Sequence, residues 1–88
     1  MTDTAQLIRV RLQALQPEKV EVFDESAQHA GHAGAAGGGG HYRLVIVAQQ
    51  FSGLNAVARH WLVYQALGDF MHGRVHALAI TALTPEEL

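Results

Sequence analysis

The chain has no cysteine among its 88 residues, which excludes disulfides, thiolate metal sites and thiol catalysis by this chain alone. It is also poor in cations. Six Lys and Arg stand against eight Asp and Glu, for a formal net charge of −2. Arg9, Arg11, Lys19, Arg43, Arg59 and Arg74 are scattered along the chain, not massed as a phosphate-neutralising patch requires. No apolar stretch approaches the roughly 20 residues needed to cross a bilayer. Met1 to Ala5 lacks the basic-then-apolar pattern of a secretory signal, so a cytoplasmic protein without membrane contact is expected. Nor is there a Ser/His/Asp spacing, a carboxylate pair or a phosphate loop of enzymatic type.

What remains is a hydrophobic content of 49%, normal for a globular fold, in a length suited to one domain over residues 1–88. Histidine stands out. There are six, and His29, His32 and His41 crowd one short region.

Asp3 and Gln6 have the spacing of a helix N-cap, and Ile8, Leu12 and Leu15 recur at i, i+4, i+7 until Pro17. Lys19 to Asp24 reads as a strand with Val20 and Val22 on one face. Residues 25–40 hold six glycines and nothing large. That composition predicts a flexible loop, with 27–40 the least ordered internal stretch, and loops of that length are often functional. His41 to Ala48 is a second strand, apolar on both faces through Leu44-Val45-Ile46-Val47, as a central strand would be. Ser52 or Asn55 can cap a helix from Ala56 to Leu67, with Val57, Trp61 and Tyr64 on one stripe widened by Leu62 and Val63. Asp69 to His72 adds a short helical turn, and Val75 to Leu83 is a third strand before Pro85. Strand alternation puts His76 on the face of Leu78 and Ile80.

Four segments in the same order carry a family resemblance. They are Asp24-Glu25-Ser26 before a His-bearing loop, Phe51-Ser52-Gly53, Arg59-His60 followed by Val63-Tyr64, and Arg74-Val75-His76-Ala77-Leu78-Ala79-Ile80. Together they resemble the BolA family over nearly the whole chain. Two departures stand out: Trp61 replaces the usual third basic residue of an Arg-His-Arg run, and the loop is about three residues longer than in the commoner members, through a repeated His-Ala-Gly.

The resemblance implies an α+β fold related to the type II KH domain, in the order α-β-β-α-α-β. Its three-stranded mixed sheet would carry the helices on one face. It further implies a monomer that forms a heterodimer with a monothiol glutaredoxin, sharing a 2Fe–2S cluster for iron–sulfur trafficking or iron and redox regulation. The partner supplies its own cysteine and glutathione. Carried onto this chain, the histidine ligands are His76 and one of His29 or His32. Counting forward from Asp24 selects His29, which has less slack, and counting back from His41 selects His32. Arg59 and His60 sit on a helix, where the default is a solvated face or an ion pair with an acidic neighbour. Their functional reading is contact with the partner or with glutathione carboxylates, which suit the guanidinium fork.

The chemistry agrees in outline. Two imidazoles can replace two thiolates on one iron, as in Rieske centres, and a chain without cysteine then needs thiolates from elsewhere. On spacing alone, His76 reads rather as a histidine at the core's edge, His29 and His32 as solvated loop residues, His41 as structural and His72 as surface. The family match reverses the reading of His76. A bare zinc, copper or nickel site from His29, His32 and His41 is a lesser possibility.

The other functional class is a KH-like nucleic-acid-binding transcriptional regulator, active in stress responses. Gly31-His32-Ala33-Gly34 spells the Gly-x-x-Gly clamp, but it lies between strands, whereas the KH clamp joins helices. The helix junction Leu67-Gly68-Asp69-Phe70 lacks the motif and carries an acid. Duplex DNA should therefore bind the isolated chain weakly, with Kd no tighter than about 10⁻⁴–10⁻⁶ M at physiological salt. Nanomolar, sequence-selective binding in a fluorescence anisotropy titration would overturn that expectation.

Overall fold

The computed structural model describes residues 3–26 and 40–88. Its elements run α1 (Thr4–Leu12), β1 (Lys19–Asp24), β2 (Gly40–Val47), α2 (Ala56–Leu67) and β3 (Val75–Leu83). Residues 27–39, which include His29, His32 and most of the expected flexible loop, lie outside the described residues. Gly40, expected in that loop, opens β2. A Cβ there would run into the Tyr42 ring, so a larger residue requires that ring to move.

Local chemistry sets the helix ends. Asp3 Oδ1 accepts from the Gln6 N–H at 2.8 Å, satisfying one of the unpaired donors of the first turn. Beyond Leu12 the chain tightens into a 3₁₀ turn, Gln13–Leu15, and leaves through Gln16 in the left-handed region just before Pro17. Asn55 is the cap of α2, accepting from the Ala58 N–H at 2.9 Å. The short helical turn expected after α2 is a 3₁₀ turn over Gly68–His72.

The sheet order is β1-β2-β3. β1 pairs antiparallel with β2, from Lys19 opposite Val47 to Asp24 opposite Tyr42. β2 pairs parallel with β3, and the crossover that parallel pairing requires is supplied by α2. This is the expected α+β architecture with a three-stranded mixed sheet. Its core gathers Ile8, Leu12 and Leu15, then Val22, Tyr42, Leu44 and Ile46 from the sheet, and Phe51, Val63 and Leu67. Each fully buried large aliphatic or aromatic side chain contributes about 1.5–3 kcal/mol through removal from water.

Two expectations are corrected. The stripe Val57, Trp61 and Tyr64 is the solvent side of α2, with Val57 78% and Trp61 61% exposed. The core side is Val63 and Leu67, flanked by Leu62 and Ala66. Both stripes are apolar at helical spacing, and packing against α1 and the sheet selects the second.

The other correction concerns His76. The β2–β3 register runs Gly40 opposite Val75 and then His41 opposite Ala77, so His76 is the extra residue of a bulge. The bulge resets the alternation. Val75 is buried, Leu78 and Ile80 pack against the core, and His76 is exposed and no longer shares their face.

The helix faces can be tested by paired substitutions. Leu67→Ala should destabilise the fold by about 2–5 kcal/mol, as large-to-small core changes do. Val57→Ala should stay within about 0.5 kcal/mol, as exposed positions do. Denaturant unfolding curves of both variants measure the difference.

Candidate functional site

The bulge brings together two histidines that are distant in sequence. His41, the second residue of β2, and His76, near the start of β3, have ring centroids 5.1 Å apart and planes tilted by 45°. His41 is half-buried and His76 is exposed. His41 is fixed through its backbone: its N–H donates to Ser26 Oγ at 3.0 Å, and its carbonyl accepts from the Glu25 N–H at 2.8 Å. Ser26 is itself held by Asp24, whose Oδ1 accepts from the Ser26 N–H at 2.9 Å. The Asp24-Glu25-Ser26 segment thus folds back against the start of β2. Arg43 completes this end by pairing with Glu25 at 3.1 Å and lying over the Phe23 ring at 4.3 Å.

Next to the pair is a cavity of about 290 Å³, lined by Glu25, His41, Tyr42, Ala77, Leu78 and Ala79. The small side chains of Ala77 and Ala79 keep it open. The spacing of the imidazoles fits shared coordination. With nitrogen–metal bonds of about 2 Å, two rings on one metal stand about 5 Å apart, centre to centre. Among the described residues, no set of three His, Cys, Asp or Glu is placed to hold a metal. The sequence alone reads His41 as structural, whereas the fold sets its ring against His76. Its proximity to His76 depends on the β2–β3 register, and no spacing along the chain reveals it.

Arg59 has a different role in the free chain. Its guanidinium forms a fork-to-fork pair with Glu87, Nη1 to Oε1 at 2.6 Å and Nη2 to Oε2 at 3.0 Å. Nε donates to the Leu54 carbonyl at 2.8 Å and Nη1 to the Ala82 carbonyl at 2.9 Å. One side chain thereby ties together the approach to α2, the end of β3 and the 3₁₀ turn Pro85–Glu87. That turn is closed by a capping box between Thr84 and Glu87. His60, the neighbour of Arg59, is half-buried and lines a surface cavity of about 590 Å³ with Asn55, Val57, Ala58, Trp61 and Tyr64. His72 is exposed on the turn after α2.

Comparison with known proteins places this geometry. Residues 12–87 match the family model described as BolA-like protein. The chain belongs to the BolA-like family. It is 46% identical over 81 residues to BolA-like protein 1 of Mus musculus, covering 91% of this chain and 57% of the mouse protein. The chain therefore spans little more than half the length of that relative. Among solved structures, BolA1 from Arabidopsis thaliana superposes with a TM-score of 0.84 at 39% identity, covering 100% of this chain and 98% of that one. The BolA domain of SufE1 from Arabidopsis thaliana gives the same TM-score at 40% identity, covering 100% and 99%. The BolA resemblance and the fold expected from it are both borne out.

The Arg59–Glu87 fork makes stability depend on pH. Its hydrogen bond to Arg59, aided by the Thr84 N–H, lowers the Glu87 carboxyl from 4.5 to about 2. Hydrogen bonding to Glu87 likewise raises Arg59 above its ordinary value. A carboxyl whose pKa falls on folding stabilises the fold above its unfolded value and loses that contribution as pH drops through the folded one. The Glu87 contribution should thus be complete above about pH 4.5 and vanish towards pH 2. Glu87→Gln should be less stable than the parent at pH 7, with the gap closing across that window in pH-resolved unfolding midpoints.

Proposed function

We propose that this BolA-like protein is a non-enzymatic cytoplasmic adaptor that joins a monothiol glutaredoxin to hold a shared 2Fe–2S cluster. This chain would provide imidazole ligands on one iron. The glutaredoxin cysteine and its glutathione would provide thiolates on the other. The observation carrying this reading is the His41–His76 pair, 5.1 Å apart at a bulge with a cavity beside it, in a chain without cysteine. Occurrence of a BolA domain within SufE1 favours an iron–sulfur setting.

His76 is the first ligand in this proposal. The second is an imidazole of His41 or of one of His29 and His32. What the chain itself contributes is placement. Both strands fix their histidine backbones before any partner arrives, so little ordering entropy opposes ligation. Partner contact would spread over the outer side of α2, where His60 stands beside exposed Val57, Trp61 and Tyr64. For Arg59 to join, it would exchange Glu87 for a carboxylate of the partner or of glutathione.

Co-expression with a monothiol glutaredoxin is the direct test. The purified complex should be brown, with nitrogen ligation visible in iron-edge and electron-resonance spectra. His76→Ala should abolish the nitrogen signature while the two proteins still associate through other contacts. His41→Ala, compared with the double substitution of His29 and His32, identifies the second ligand by which change reproduces the His76 loss. An unchanged nitrogen signal in His76→Ala would refute the site.

A further inference from the structure

A second cleft lies where the turn after α2 meets the start of β3. It has a volume of about 480 Å³ and is lined by Arg11, Asp69, Phe70, His72, Gly73 and Arg74. We propose that this cleft is a binding site for a small ligand bearing a phosphoryl or carboxylate oxyanion, gripped between the guanidiniums of Arg11 and Arg74.

Both cations are arrayed around one aromatic ring. The guanidinium carbon of Arg11 lies 4.3 Å from the Phe70 centroid and that of Arg74 lies 5.6 Å from it. Phe70 is only 7% exposed, so it forms an apolar floor that removes water from one side of each cation. A guanidinium has donors only, in a planar fork that matches the oxygens of phosphate or carboxylate. Both arginines line this one cleft, so an oxyanion held in it has a fork to bind on either arginine.

The cradle is also built in advance. Arg11 Nη1 donates to the Leu67 carbonyl at 3.2 Å, which fixes the fork while it stacks on Phe70. The Arg74 backbone is anchored because its carbonyl accepts from the Gly40 N–H at 3.0 Å. Among the described residues Arg74 makes no ion pair, in contrast to Arg11, Arg43 and Arg59. Gly73 leaves the mouth open, since a Cβ there would meet no atom within 4 Å. His72 adds a further ring nitrogen at the rim.

Asp69 is the one opposing group. Its carboxylate stands 3.7 Å from Arg11 Nη2 with its side chain 83% exposed. Exposed pairs of this kind contribute roughly 0–1 kcal/mol, and a bidentate oxyanion in the cleft would displace it. Asp69 therefore acts as a weak internal competitor that holds Arg11 ready for an external anion.

The test needs only the isolated chain, so its outcome is independent of the cluster reading. Inorganic phosphate, and in a second arm succinate, is titrated at constant ionic strength while amide NMR shifts are followed. Saturable shifts confined to residues around Arg11 and 69–74 are expected, and the tighter of the two arms identifies the oxyanion class. Arg74→Gln, an exposed substitution that leaves the core intact, should weaken binding about tenfold or more. Asp69→Asn should tighten it. An absence of saturable shifts in both arms would overturn the site, as would shifts of equal affinity in Arg74→Gln.

Discussion

Parallel pairing of β2 with β3 is the constraint on which the rest of this molecule depends. Parallel neighbours cannot be joined by a tight turn, so the chain must leave the sheet, cross it as a helix and return. The crossover is α2, and its Val63 and Leu67 close the core over Leu44 and Ile46. The return through Gly68–His72 feeds β3 into register, and the single irregularity of that register lies at its first residues. The bulge displaces His76 from the core side of the sheet and sets its ring against His41. A regular ladder would have placed position 76 on the same side as Leu78 and sent the histidine towards the hydrophobic interior.

The same pairing links the two surface features at the head of β3. Gly40 donates its N–H to the Arg74 carbonyl, one residue before the bulge begins. Arg74 then faces the cleft over Phe70, while His76, two residues later, faces His41. Because both depend on one stretch of backbone, displacement of Gly40 by a larger residue would disturb the cation and the imidazole together. A strand end that carries both features leaves little freedom for either to move alone.

Much of this was legible in the sequence. The limits of β1, the Asp3 cap, the Ile8-Leu12-Leu15 stripe and the end of β3 before Pro85 follow from local rules, and local rules operate within a few residues. Position-specific segments added the family and thereby the topology. Features requiring knowledge of partners across the sheet were not legible. The two sides of α2 are both apolar at helical spacing, and only the neighbours of the helix distinguish Leu67 from Trp61. The His41–His76 contact and the Arg59–Glu87 fork join residues 35 and 28 positions apart in the sequence, beyond the reach of any periodicity. Arg59 is instructive because its residue type invites a partner-binding role, whereas three elements of the chain already occupy its donors.

The outward stripe of α2 has a spectroscopic consequence. Trp61 is the chain's sole tryptophan, and its indole is 61% exposed, remote in environment from the buried core. Its emission in the folded protein is therefore already that of a hydrated indole. Unfolding would change that emission little, so fluorescence would understate a thermal or denaturant transition that circular dichroism records in full. Anything that covers α2 would shift the emission to shorter wavelength. The molecule thus carries, without labelling, a reporter insensitive to its own melting and responsive to what settles on its helix.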